Sequence, residues 1–153
     1  MNGTELQALR RLLFFSQPEA AALVGGVSEQ AWRRWEAGIR RVPADVAARV
    51  SELARWRENA IEASARQIGE SPTGARLALV WYEALDDWAT LPNREPALWR
   101  PHQSACADLL SRFRARLRLV RFDAPAYTAW LAGRHDSESM RAAWAGSVPL
   151  AAG

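Results

Sequence analysis

The chain has 153 residues, 49% of them hydrophobic and 24% charged, with a formal net charge of only +3. That length holds one or two small domains with a buried core. That balance excludes a disordered polyanion-binding tail, so any nucleic-acid function has to come from where charge is placed.

Taken in order, Thr4 and Gln7 form a capping box that opens a first helix, with Leu6, Leu9, Leu12 and Leu13 on its inner face. Arg10 and Arg11 fall inside that amphipathic pattern, which is not the pattern of a signal peptide. Ser16 and Glu19 repeat the capping signature, with Pro18 tolerated in the first turn, and predict a second helix to about Val24. Gly25-Gly26 is a turn. Ser28 then caps a short helix over 28–37, and Gly38 ends it as a residue free to adopt positive φ. Val27, Trp32 and Trp35 face inward on that helix. Glu29, Gln30, Arg33 and Arg34 fall at i, i+1, i+4 and i+5 and make one polar face. A helix this short needs neighbours to dock on.

Pro43 opens the longest helix, from about Ala44 to Ile68, with Val46, Val50, Leu53, Ala54, Ile61, Ala65 and Ile68 at helical or near-heptad spacing. Its first half completes the core under the two tryptophans. Its second half packs on the C-terminal part or on a second subunit. Gly69 to Gly74 is the clearest punctuation and places a boundary between domains 1–69 and 70–153. Beyond it, Arg76 to Tyr82 is β-prone, Glu83 to Thr90 reads as a helix, and Leu91 to Glu95 as a turn. Pro101 to Arg112 reads as another helix, with Ala105, Leu109 and Leu110 inward. From Arg112 to Leu119 the sequence alternates strictly, predicting a strand with Arg112, Arg114, Arg116 and Arg118 on one face. Val120 and Phe122 break that register and predict a bulge. Two strands are too little sheet to be stable alone, so a dimer that joins sheets across a two-fold axis is expected. Residues 124–145 predict two short helices with Trp130, Leu131, Met140 and Trp144 as packing residues, and 146–153 a frayed tail. The fold class is mainly α with a small β component.

Several of these residues carry a resemblance. Val27-Ser28, Trp32, Trp35-Glu36-x-Gly38, Arg40 and Pro43 resemble the recognition-helix signature of Cro/CI-type (XRE) helix-turn-helix repressors. Ser16-Gln17-x-Glu19-Ala20-Ala21 resembles the start of their second helix. Glu5 to Arg10, Ala20 to Gly38, and Trp99-Arg100-x-x-Gln103-Ser104 are similar to a narrower branch, the YdiL-like proteins and anti-CRISPR-associated autoregulators. The likeness is dense over 2–43, thinner over 44–111 and absent beyond about 122. It implies an N-terminal helix-turn-helix domain of four to five helices and a C-terminal α+β dimerisation domain. It also implies a buried structural ion pair between Arg10 and Glu36. The turn at Gly25-Gly26 is one residue longer than in the wider pattern, which is expected to tilt the third helix against the second.

The function expected on this reading is a homodimeric, sequence-specific repressor, most simply of its own operon. Glu29, Gln30, Arg33 and Arg34 would read base edges of double-stranded DNA, since Gln pairs with adenine, Arg with guanine, and Glu accepts from cytosine. The plain alternative for that face is solvated helix. Gln17 and Ser28 at helix N-termini, with Arg40 and Arg41 after the third helix, are the expected phosphate contacts. Arg112, Arg114, Arg116 and Arg118 are a candidate second nucleic-acid face, against the alternative of a charged, exposed sheet. Two other functions stay open: an antitoxin-like protein whose C-terminal part sequesters an operon-encoded partner, and an autoregulator that binds RNA through the arginine ladder.

Nothing points to an enzyme. His102 and His135 lie far apart with no cysteine or carboxylate at metal-ligand spacing, so no metal or cofactor is expected. Asp86 and Asp87 are adjacent and diverge on a helix. All 20 Lys+Arg positions are arginine; coding composition explains the bias, and its chemical consequence is a planar donor fork suited to phosphate and guanine. The eight tryptophans are mostly core by spacing. The lone Cys106 excludes an internal disulfide, and a cytoplasmic location is expected. No apolar run approaches the ~20 residues of a membrane span.

Overall fold

A computed structural model describes residues 1–149 of the chain. Helix α1 (Gly3–Leu12) is capped two residues earlier than Thr4 and Gln7 predict. Asn2 Oδ1 accepts from the Glu5 N–H at 2.9 Å and Glu5 Oε2 accepts from the Asn2 N–H at 2.7 Å, a reciprocal capping box. Leu12 lies at the surface, while Leu6, Leu13 and Phe15 are buried. Helix α2 (Gln17–Ala20) begins at the Ser16/Glu19 capping box as expected. It then widens into a π-helical turn over Ala21–Gly25, closed by a Val27 N–H to Ala21 carbonyl bond and by Gly26 at φ +59. A π turn holds one more residue than an α turn. The extra residue of this connection is therefore absorbed inside the second helix.

Helix α3 (Glu29–Glu36) and the 27-residue α4 (Ala44–Glu70) complete the N-terminal unit. Its core joins Leu6, Leu13, Phe15, Trp32, Trp35, Val42, Val46, Val50 and Leu53. Ala97, from the C-terminal part, lies in the same cluster. Ile61 and Ile68 of α4 belong to a different cluster, with Ala105, Leu109 and Leu117. The division of packing thus falls within α4, between Leu53 and Ile61, its first half serving the N-terminal core and its second half the C-terminal part. A continuous helix joins the two cores, leaving no linker between them.

The C-terminal part runs β1 (Leu77–Trp81), α5 (Leu85–Ala89), a 3-10 turn (Pro96–Leu98), α6 (Trp99–Arg112), β2 (Leu117–Arg121), α7 (Ala124–Leu131) and α8 (Glu138–Ser147). The two strands pair in parallel, Leu77 opposite Leu117 through Trp81 opposite Arg121. A parallel pair requires a long crossover, and α5 with α6 supplies it. The fold class is as expected, mostly helical with a small sheet.

The arginine ladder is corrected. The α6 helix runs to Arg112, residues 113–116 form a turn, and the strand begins only at Leu117. The alternation of Arg112 to Leu119 is coincidental across three kinds of backbone: Arg112 pairs with Asp108 on its own helix, and Arg114 is exposed in the turn. The predicted bulge is absent too, since the strand register is unbroken and Val120 simply faces the core. Helix α8 extends to Ser147, two residues into the predicted tail; residues 150–153 of that tail lie outside the described residues. Helices α7 and α8 close an aromatic core of Tyr82, Trp88, Trp99, Phe122, Tyr127 and Trp144. Among the described residues no helix is long and apolar enough to cross a membrane.

Candidate nucleic-acid interface

The site is built on one buried carboxylate. Glu36, at the end of α3, accepts from Arg10 Nε at 2.6 Å and Arg10 Nη2 at 3.2 Å, from Gln17 Nε2 at 2.8 Å and from Trp32 Nε1 at 2.7 Å. The first three of these bonds come from α1 and α2, so one side chain fixes three helices. The remaining Arg10 donor, Nη1, reaches the Phe15 carbonyl at 2.8 Å. Side-chain exposure is 10% for Arg10 and 2% for Glu36, so the pair is internal. Burial works to raise the Glu36 pKa, but the bonds from Arg10, Gln17 and Trp32 outweigh it and hold the carboxyl below its ordinary value. The Arg10–Glu36 pair implied by the family likeness is therefore formed.

Under the hub the indoles of Trp32 and Trp35 meet edge to face, with centroids 5.7 Å apart. The amino end of α1 lies hard against the end of α3. A Cβ on Gly3 would sit 2.3 Å from the Trp35 carbonyl oxygen, so only glycine permits this crossing. The sequence pattern gave Gly3 no role.

With its inner side so held, α3 turns its polar face outward, and its four side chains are not equivalent. Arg33 donates from Nε to Gln17 Oε1 at 3.1 Å and from Nη2 to Glu29 Oε1. Both amide atoms of Gln17 are thereby used, one by Glu36 and one by Arg33. Ser28 Oγ accepts from the Ala31 N–H at 3.3 Å as the helix cap. Gln17 and Ser28, expected at phosphate, have side chains already engaged within the protein. The side chains of Gln30 and Arg34, in contrast, are exposed and hydrogen-bond to nothing among the described residues. Beyond Gly38 (φ +71) come the exposed Ile39, Arg40 and Arg41, and neither arginine has an ion-pair partner among the described residues. Trp56, Trp81 and Trp130 are half-buried, and the other five tryptophans are buried.

The Trp99-Arg100-x-x-Gln103-Ser104 motif has a structural task. Trp99 Nε1 and Gln103 Nε2 both donate to the Tyr82 carbonyl, at 2.9 and 2.7 Å. Arg100 pairs with Glu19 of α2 at 2.6 Å. Ser104 Oγ donates to the Leu12 carbonyl and accepts from Arg57. One helical segment thus fastens the end of β1 to the first two helices and sets how the α3 face sits on the C-terminal part.

A profile of the family described as Aca2/YdiL-like matches residues 1–117. Over 108 residues the chain is 36% identical to the Aca2 repressor of Pectobacterium phage ZF40, an alignment that covers 70% of this chain and 90% of that relative. The match ends at the start of β2, so α7 and α8 lie outside it. The chain belongs to the Aca2/YdiL-like family.

Proposed function

We propose that the protein is a transcriptional repressor that binds double-stranded DNA through α3, as a homodimer on an inverted-repeat operator. The observation that carries this reading is the division of labour on α3. Glu36 and the tryptophans lock the helix, Arg33 and Glu29 brace it, and Gln30 and Arg34 are left free and outward. Rigid support beneath unpaired, multi-donor side chains is what direct base readout needs. Membership of a family that includes a named repressor supports the same reading. Arg40 and Arg41 take the flanking phosphates, and no catalytic step is assigned to any residue.

Dimerisation would use the open edge of the sheet. The Leu77 N–H and the Trp81 carbonyl bond towards β2, so the strand's alternation turns the N–H and C=O groups of Ala78 and Val80 to the other edge. Antiparallel pairing of that edge with a second copy would give a four-stranded sheet about a two-fold axis. Two copies of α3 would then enter successive major grooves about 34 Å apart.

The test is binding to duplex DNA from the protein's own upstream region, followed by fluorescence anisotropy across salt. About six neutralised phosphates give an affinity loss on the order of a thousandfold between 50 and 200 mM salt. A salt-independent affinity, or equal binding to any duplex, contradicts the proposal.

A further inference from the structure

Four arginines that pair with no carboxylate among the described residues, Arg76, Arg114, Arg116 and Arg118, collect at the amino-terminal end of the two strands. There a cavity of about 240 Å³ is lined by Arg76, Leu77, Arg114, Ala115, Arg116, Leu117 and Arg118. None of the seven is acidic, and none of the four arginines takes part in an ion pair among the described residues. The turn after α6 is what gathers them: it brings Arg114 and Arg116 beside Arg76, which precedes the first residue of β1.

The four play two different parts. Arg116 donates from Nη2 to the Ser71 and Pro72 carbonyls at 3.1 and 3.3 Å, and Arg118 donates from Nη2 to the Ala145 carbonyl at 3.1 Å. Those two are anchored by backbone oxygens, which leave their charge uncompensated. The buried Arg116 Nε has no hydrogen-bond partner among the described residues. A buried donor without an acceptor costs free energy unless something fills it. Arg76 and Arg114 are exposed, with no hydrogen-bond partner among the described residues. The N–H groups of Arg114 and Ala115 in the turn also meet no acceptor among those residues. Successive free backbone N–H groups beside guanidinium groups are the chemistry of an anion cradle.

We infer that this cavity is a phosphate-binding site, separate from the α3 face and sized for a diphosphate group. The volume is too small for a whole nucleotide, but the cavity opens to solvent, so the rest of a phosphorylated ligand can extend outward. Guanidinium forks pair bidentately with phosphate oxygens, and Leu77 and Leu117 give the cradle an apolar back wall that keeps the pairs partly dry. The phosphate has two sources, a free phosphorylated small molecule or the backbone of a nucleic-acid strand. This inference stands on different residues from the DNA reading and does not depend on it.

The test is isothermal titration of the full chain with inorganic pyrophosphate at low salt, alongside the double substitution R76Q/R114Q. Neither side chain holds the fold together, so the variant should keep the far-ultraviolet circular dichroism of the parent. The expected result is saturable binding, one pyrophosphate per chain, weakened at least tenfold in R76Q/R114Q and unchanged in R34A. Absence of saturable binding overturns the inference, as does equal binding by R76Q/R114Q or loss of binding in R34A, which would place the anion at α3. A second titration, with pyrophosphate competing against an eight-nucleotide single-stranded RNA, assigns the source. Mutual exclusion supports a strand phosphate at this site, and independent binding supports a free diphosphate there.

Discussion

Arg10 and Glu36 meet across the crossing of α1 and α3, Nε to Oε1 at 2.6 Å, and both are internal. Everything proposed for the outward face of α3 depends on this internal contact. Removing one partner of a buried pair strands the other charge, at a cost of about 3–5 kcal/mol. Glu36→Ala is therefore expected to lower the unfolding free energy by that amount in urea titration and to abolish DNA binding with it. A loss of about 0–1 kcal/mol, the size of an exposed pair, would show that the hub does not hold the helices.

Acid should destabilise the protein in two windows. Burial, reinforced by Arg94, pushes the His102 ring from its ordinary 6.5 down to about 4. The folded state keeps it neutral while the unfolded chain binds a proton. Its contribution is therefore complete above pH 6.5 and lost as the pH falls towards 4. The full loss is on the order of 3 kcal/mol. Glu36, held below its ordinary 4.5, adds a further loss below that value. A melting temperature that falls between pH 7 and 4, with the upper window flattened in His102→Gln, is the expected profile. An identical profile in the variant would remove His102 from the account.

How far the sequence foretold this can be read from particular residues. Ser16 with Glu19, Ser28 with Gly38, and Pro43 are local signals with local causes, and each cap formed where expected. The inward tryptophans followed from helical spacing. The family likeness supplied Arg10 with Glu36, which are 26 positions apart and share no periodicity. What misled was alternation. Residues 112–119 satisfy a strand pattern, yet Leu109 and Phe113 draw the chain into a helix end and a turn, and tertiary packing overrides the local period. Gly3 and the bracing of Arg33 by Gln17 were illegible because both depend on the approach of two helices. The arginine cavity was illegible for the same reason: Arg76 is 38 positions from Arg114 by their numbers, and only the turn between α6 and β2 makes them neighbours.

The open strand edge gives a prediction about assembly. Proline at Ala78 removes an N–H that faces away from β2, so the ladder within one chain survives while edge pairing does not. The parent is expected to run as a dimer in size-exclusion chromatography with light scattering, and Ala78→Pro as a monomer. A dimeric Ala78→Pro would place the interface elsewhere.

The most direct test of the central claim is selection of bound duplexes from a random library, carried out in parallel with the parent and Arg34→Ala. The account predicts an inverted repeat with half-sites about 34 Å apart. It also predicts that Arg34→Ala relaxes one base position, symmetrically in both half-sites, at about 1–3 kcal/mol. Enrichment of no sequence, or of the same sequence with undiminished preference at every position, would contradict it.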